Sequence, residues 1–204
     1  MPTCHLKGTK YEFLKQTQTS PLPLKIPAMW SDSILSIPSE ARWAAARTKS
    51  RCEKKFAEYL RVRNVPSFLP LVKRRNIGNR EVRFFQIPLF SCYVFFDISA
   101  ISPTAVMQSD RVVDILEPDD QQTLHTELKS LALALHADEF LMETRFKQTG
   151  NLVTIKKGPL KGLNGELVRI NENMRLLIRV SFLSQAALVE IDEGFVEQEL
   201  SALH

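Results

Sequence analysis

The chain has 204 residues, enough for one sizeable domain or two small ones, and its 44% hydrophobic and 25% charged content is ordinary for a soluble globular protein. No apolar run approaches the ~18 to 20 residues that span a bilayer, and Lys7, Lys10 and Lys15 precede no continuous apolar stretch, which argues against a membrane anchor and a secretory signal. The net charge is +4, and the three cysteines, Cys4, Cys52 and Cys92, lie far apart, a sparse set that fits reduced thiols in a cytoplasm better than a disulfide framework or a metal site.

The charge is uneven. Residues 41–83 carry thirteen Lys/Arg against Glu53, Glu58 and Glu81, a surplus of +10 that leaves −6 for the rest of the chain. A basic front end fits a polyanion or an acidic surface nearby, and fits equally a solvated helix face beside a loop.

Residues 1–40 hold Pro21, Pro23, Pro27 and Pro38 among Ser, Thr and Lys without a sustained period, and read as a mobile N-terminal extension. Patterning begins near Arg42, so Met29 is an alternative start that the intact mass of the native protein would settle. ARWAAA reads as a short buried strand. Ser50 then stands where a helix N-cap belongs, with Glu53 three residues later as a capping box. Cys52, Phe56, Tyr59 and Leu60 form one face of a helix running to about Arg63, and Asn64 and Pro66 stop it.

SFLPLV (67–72) reads as a strand weakened by Pro70, and KRRNIGNREVR (73–83) as a basic loop or hairpin tip turning at Gly78 and Asn79. FFQIPLFSCYVFFDI (84–98) is one or two strands broken at Pro88. Pro103 opens a short helix with Val106 and Met107, RVVDIL (111–116) is another strand, and Pro118, Asp119 and Asp120 start a helix lined by Leu124, Leu128, Leu131 and Leu135. Residues 137–148 lack periodicity and read as a linker.

After Gly150 only short alternating runs appear. Leu176, Ile178, Val180 and Phe182 share one face, Arg175, Arg179 and Ser181 the other, and Val189 and Ile191 repeat the pattern. Asn164-Gly165 is a hairpin signal and Asn171 to Asn173 a second turn. Four or five such strands describe a small barrel buried on one side.

Residues 150–170 hold four of the chain's seven glycines. A phosphate-binding loop needs G-x-x-x-x-G-K-[ST] between a buried strand and a helix. Here Gly158, Gly162 and Gly165 lead to Glu166 and another strand with no Lys–Ser/Thr pair, so the glycines punctuate turns.

The run G-x-x-V-x-I-x-x-G-P-L-K-G-L-x-G-E-L-V resembles the KOW motif that opens the C-terminal domain of NusG-type transcription elongation factors, and the likeness continues to V-E-I-D (189–192). Trp43, RTKSRCEKKFAEYL (47–60), SFLPLV and IPLFSCYVFF (87–96) resemble the NusG N-terminal domain in order and spacing, so that residues 41–200 are covered. The resemblance implies an α+β fold: an N-terminal antiparallel sheet flanked by helices over 41–137, a linker over 138–148, and a small all-β, SH3-like KOW barrel over 149–204. It implies a monomeric factor that binds RNA polymerase on the clamp helices of the largest subunit, suppresses pausing or termination, and recruits Rho or a ribosomal protein through the KOW domain.

Carried over by position, the resemblance puts Phe90, Tyr93 and Phe95 on the polymerase-facing patch, with Arg47 and Lys49 beside it. Ser102, Pro103 and Thr104 match the loop that faces the second large subunit in specialised relatives, although their His-Thr run is missing. The residues themselves allow an exposed patch, since Phe84, Phe85, Phe90, Tyr93, Phe95 and Phe96 exceed what one buried strand face can hide. A sheet covered on both sides would hide them all. Lys73, Arg74, Arg75, Arg80 and Arg83 fall where the family arrangement meets upstream or non-template DNA.

Phe182, Leu183 and Gln185 occupy the KOW partner loop, but SFLSQAALVEI lacks the family's Phe-Gly-Arg, which weakens the case for Rho. Ser91-Cys92 replaces the usual Pro-Gly before Tyr93. These departures fit a specialised paralogue serving particular long operons. Two readings stay beside it: a ribosome-associated KOW protein that binds RNA, disfavoured by six Lys/Arg against seven acids over 150–204, and a housekeeping NusG acting with Rho. His5, His125, His136 and His204 are scattered, with His125 and His136 simplest as surface residues, and no catalytic, metal or cofactor site is expected.

Overall fold

The computed structural model describes residues 41–77, 82–137, 141–144, 151–157, 160–170, 173–191 and 196–197. The expected N-terminal extension, the alternative start at Met29 and Arg80 lie outside them.

The front half is a four-stranded antiparallel sheet in the order β2-β5-β1-β6, built from β1 (Trp43–Thr48), β2 (Ser67–Phe68), β5 (Tyr93–Asp97) and β6 (Val112–Leu116). Alternation along β1 sorts its side chains. Ala44 and Ala46 join Phe56, Ala57 and Leu60 of helix α1 (Glu53–Val62) in one buried cluster, with Val94 and Phe96 of β5. Trp43 and Ala45 face the other way, into a cluster with Phe95 and with Leu124, Leu128 and Leu131 of helix α3 (Gln121–His136). Both faces of the sheet are therefore covered, one by each helix. A short helix α2 (Pro103–Gln108) adds Val106 to the α1 side.

The start of α1 differs from its prediction. Ser50 is not the cap; Cys52 is the N-cap residue, without a side-chain hydrogen bond, after Arg51 at φ 60. Glu53 turns inward instead of completing a capping box, and its Oε1 accepts the Cys92 backbone N–H at 2.8 Å. SFLPLV also splits: β2 ends before Pro70, and β3 begins at Leu71. The basic stretch is mostly strand, since β3 (Leu71–Ile77) pairs with β4 (Val82–Pro88) as a two-stranded antiparallel ribbon.

The back half is all β. Six antiparallel strands run in the order β12-β8-β9-β10-β11-β7: β7 (Leu141–Thr144), β8 (Asn151–Ile155), β9 (Asn164–Ile170), β10 (Asn173–Val180), β11 (Gln185–Glu190) and β12 (Val196–Glu197). Strand β7 forms inside the stretch that reads as linker, pairing Leu141 with Val189. Asn164-Gly165 is not a turn; it begins β9, with Gly165 opposite Val153. The Gly165 Cα lies so close to β10 that a Cβ there would meet Leu176 Cγ and Leu177 O at 2.8 Å. The turn that needs a left-handed residue is at Gly162, φ +90. Burial is not one-sided either, because Leu177 is fully buried with Val168, Ala186 and Leu188 on the face opposite Leu176 and Ile178.

Candidate functional site

The α3 side of the front sheet collects most of the residues implied for polymerase contact. Register places Ala45 across from Phe95 and Arg47 across from Tyr93, so all four point to the same side. Phe90 joins them by an edge-on ring contact with Phe95 at 6.4 Å, and Phe68 stacks on Phe95 at 6.2 Å. The rings nevertheless do not form an outward patch. Phe90 and Phe95 are 0% exposed, sealed in the cluster that contains α3, which is the sheet-covered-on-both-sides alternative. Tyr93 is half-buried and Arg47 exposed, so the accessible part of this face is its margin where β1 meets the start of β5.

Tyr93 is presented there by a braced turn. Cys92 sits at φ 67, where L residues are strained and glycine is at ease. Its carbonyl accepts the Thr48 N–H at 2.8 Å while Glu53 holds its N–H. The Cys92 thiol is pushed up by burial first and by the neighbouring Glu53 carboxylate next, so it stays protonated at neutral pH.

Arg47 and Lys49 lie on the same rim, each with an acidic partner from the β6 flank: Arg47 with Asp114 at 3.6 Å and Lys49 with Asp110 at 2.5 Å. The Lys49 ammonium beside Asp110 holds that carboxyl below the ordinary range. Exposed pairs of this kind contribute little to stability, but each offsets one positive charge on the rim. Ser102 caps α2, accepting the Ala105 N–H at 3.2 Å, and Thr104 is exposed beside it.

The nucleic-acid candidates separate into those on the ribbon and those beyond description. Lys73, Arg74 and Arg75 follow one another on β3, in register with Gln86, Phe85 and Phe84, while Arg83 pairs with Asn76. Phe84 and Phe85 stay 55% and 48% exposed. Sequence reasoning grouped them with the other aromatics and missed that they stand apart. The signal was the turn expected at Gly78-Asn79, which lies outside the described residues; strands 71–77 and 82–88 on either side of it pair as a sheet apart from the main one.

The KOW partner loop is largely spent internally. Phe182 and Leu183 are partly buried against the cluster that contains α3, and Gln185 is buried with its Oε1 unpartnered. Glu127 of α3 binds the same loop, accepting both the Ser181 N–H at 3.1 Å and the Ser181 hydroxyl. Burial pushes the Glu127 carboxyl up, against the pull of those Ser181 hydrogen bonds. On the same helix His125 is half-buried, not a surface residue, and burial first, then Lys129, favour its neutral form. His136 is exposed. Among the described residues no group of His, Cys, Asp and Glu is arranged to hold a metal ion, and no helix is long and apolar enough to cross a membrane.

An antiparallel sheet between two helices, extended by a basic ribbon and followed by an all-β sheet, defines a NusG-like α+β factor. Residues 41–130 match the model of the NusG family, described as transcription termination factor nusG, so this part of the chain is similar to that family. The match supports a NusG-like transcription elongation or termination factor that interacts with RNA polymerase. A comparison with curated proteins found no match.

Proposed function

We propose that the protein is a transcription elongation or antitermination factor that docks on the clamp helices of RNA polymerase through its front domain and suppresses pausing or termination. The family match over 41–130 carries this reading. The rim formed by Tyr93, Arg47 and Lys49, with Ser102 and Thr104 at the start of α2, supplies the first contact. Phe90 and Phe95 support that rim from beneath and would meet polymerase directly only if the elements packed over them moved away. The basic stretch of Lys73, Arg74, Arg75, Arg80 and Arg83 meets upstream or non-template DNA. The all-β C-terminal part recruits a second factor, Rho or a ribosomal protein, through Phe182, Leu183 and Gln185. The departures at Ser91-Cys92 and in the partner loop favour a specialised paralogue.

The decisive test is capture of the full chain by immobilised clamp helices. Tyr93→Ala and Arg47→Glu should each cut capture roughly tenfold or more, as expected of an aromatic or arginine anchor, while circular dichroism stays unchanged. Wild-type protein that ignores the clamp helices and purified polymerase would end this reading.

A further inference from the structure

Ribbon β3–β4 poses a problem that phosphate binding does not solve. Cations alone neutralise phosphates, yet Phe84 and Phe85 hold about half of their surface in water on a chain that buries Phe56, Phe68, Phe90, Phe95 and Phe96 completely. Adjacent residues on a strand point to opposite faces, so each face of the ribbon carries one ring. On one face Phe85 lies directly across from Arg74, with Ile87 two residues on and partly exposed. On the other, Phe84 lies diagonal to Lys73, which is across from Gln86. Cross-strand and diagonal neighbours sit about 5 to 8 Å apart, the reach of a base on a ring and its phosphate on a cation. The ribbon forms a sheet of its own, bordered by no further strand among the described residues. Lys54 of α1 anchors its base, donating from Nζ to the Gln86 carbonyl at 2.6 Å.

We propose that this ribbon is a stacking platform for an unpaired polynucleotide, one base lying on Phe85 beside Arg74 and another on Phe84 beside Lys73. The proposal deepens the reading of the basic ribbon as a nucleic-acid contact and rests on it. Aromatic faces recognise bases only when those are freed from a duplex, and they do so with little sequence preference, because every base offers a π face. The cations supply the salt-dependent part of binding. A duplex would use Lys73 and Arg74 and leave both rings idle.

The test uses the full chain with labelled single-stranded DNA, single-stranded RNA of the same sequence and the matched DNA duplex, read by fluorescence anisotropy. A 2-aminopurine in the single strand reports stacking by its quenching. Wild-type protein should bind one or both single strands more tightly than the duplex and quench the probe. The double variant Phe84→Ala/Phe85→Ala should bind single strands roughly tenfold or more weakly, lose the quenching and keep its duplex affinity. Phe84→Tyr/Phe85→Tyr, which keeps both rings, should behave as wild type. Lys73→Glu/Arg74→Glu should weaken single strand and duplex alike.

If the alanine variant binds single strands normally while the glutamate variant does not, stacking is overturned and the basic contact survives. Equal or tighter wild-type binding to the duplex also overturns stacking. If the wild type binds no nucleic acid, both readings fall, and an effect of the rings on polymerase capture alone would make the ribbon a protein contact instead.

Discussion

Within thirteen residues the chain places two aromatic groups in opposite surroundings. Phe90, Phe95 and Phe96 are sealed, while Phe84 and Phe85 stand in solvent. Residue type does not distinguish them. Strand β5 is an interior strand of its sheet, so whichever way its side chains point they enter one of two buried clusters, one with α1 and the other with α3 and the back strands. Among the described residues strand β4 pairs with β3 alone, and Phe84 and Phe85 on it stay about half exposed. An aromatic residue is therefore core or contact surface according to the layer its strand joins, and a sequence pattern of alternation alone does not choose.

The contrast can be broken by substitution. Phe95→Ala should have the largest effect, a loss of about 3 to 5 kcal/mol in chemical denaturation, because it empties a fully buried ring site; a loss below about 1 kcal/mol would mean that α3 does not seal that face. Gly165→Ala asks whether the back sheet is packed as tightly. Its new Cβ would press on the Leu177 carbonyl and Leu176, and a cost of about 1 to 3 kcal/mol is expected.

The seam between α3 and the back sheet is sharpened by pH. Since burial holds the Glu127 carboxyl above its ordinary range, the folded chain takes up a proton there before the unfolded chain does. Stability on this account rises as pH falls through the upper carboxylate range and is lower at neutrality. Glu127→Gln, which keeps an acceptor for Ser181, should flatten that slope in melting curves taken across pH. An unchanged slope would show that Glu127 is hydrated. The smallest effect belongs to Phe84→Ala and Phe85→Ala, each expected within about 0.5 kcal/mol of wild type. A drop as large as that of Phe95→Ala would erase the distinction between ribbon and sheet.

Much of the fold was legible because burial and periodicity agreed. Helix α3 reads directly from Leu124, Leu128 and Leu131, and Asp120 caps it by accepting the Gln122 and Thr123 N–H groups. Legibility failed where tertiary contact overrode local preference. Asn-Gly favours a tight turn, yet Gly165 is needed where β9 crosses close to β10, and the turn moved to Gly162. Ser50 and Glu53 spell a capping box, but Glu53 is worth more to the chain bound to Cys92. Of the candidate site, the composition of the rim and the ribbon could be read in advance. Which rings stayed open could not, since that depends on where helices from distant sequence come to rest.

The Glu53–Cys92 hydrogen bond joins the two sides of the front sheet. Helix α1 lies on the face away from Tyr93, yet its first turn grips the residue immediately before that tyrosine. A partner that draws Tyr93 outward must strain this grip, and a ligand that shifts α1 would tilt the tyrosine from behind. The tether thus makes the seating of α1 part of what holds Tyr93 at the rim.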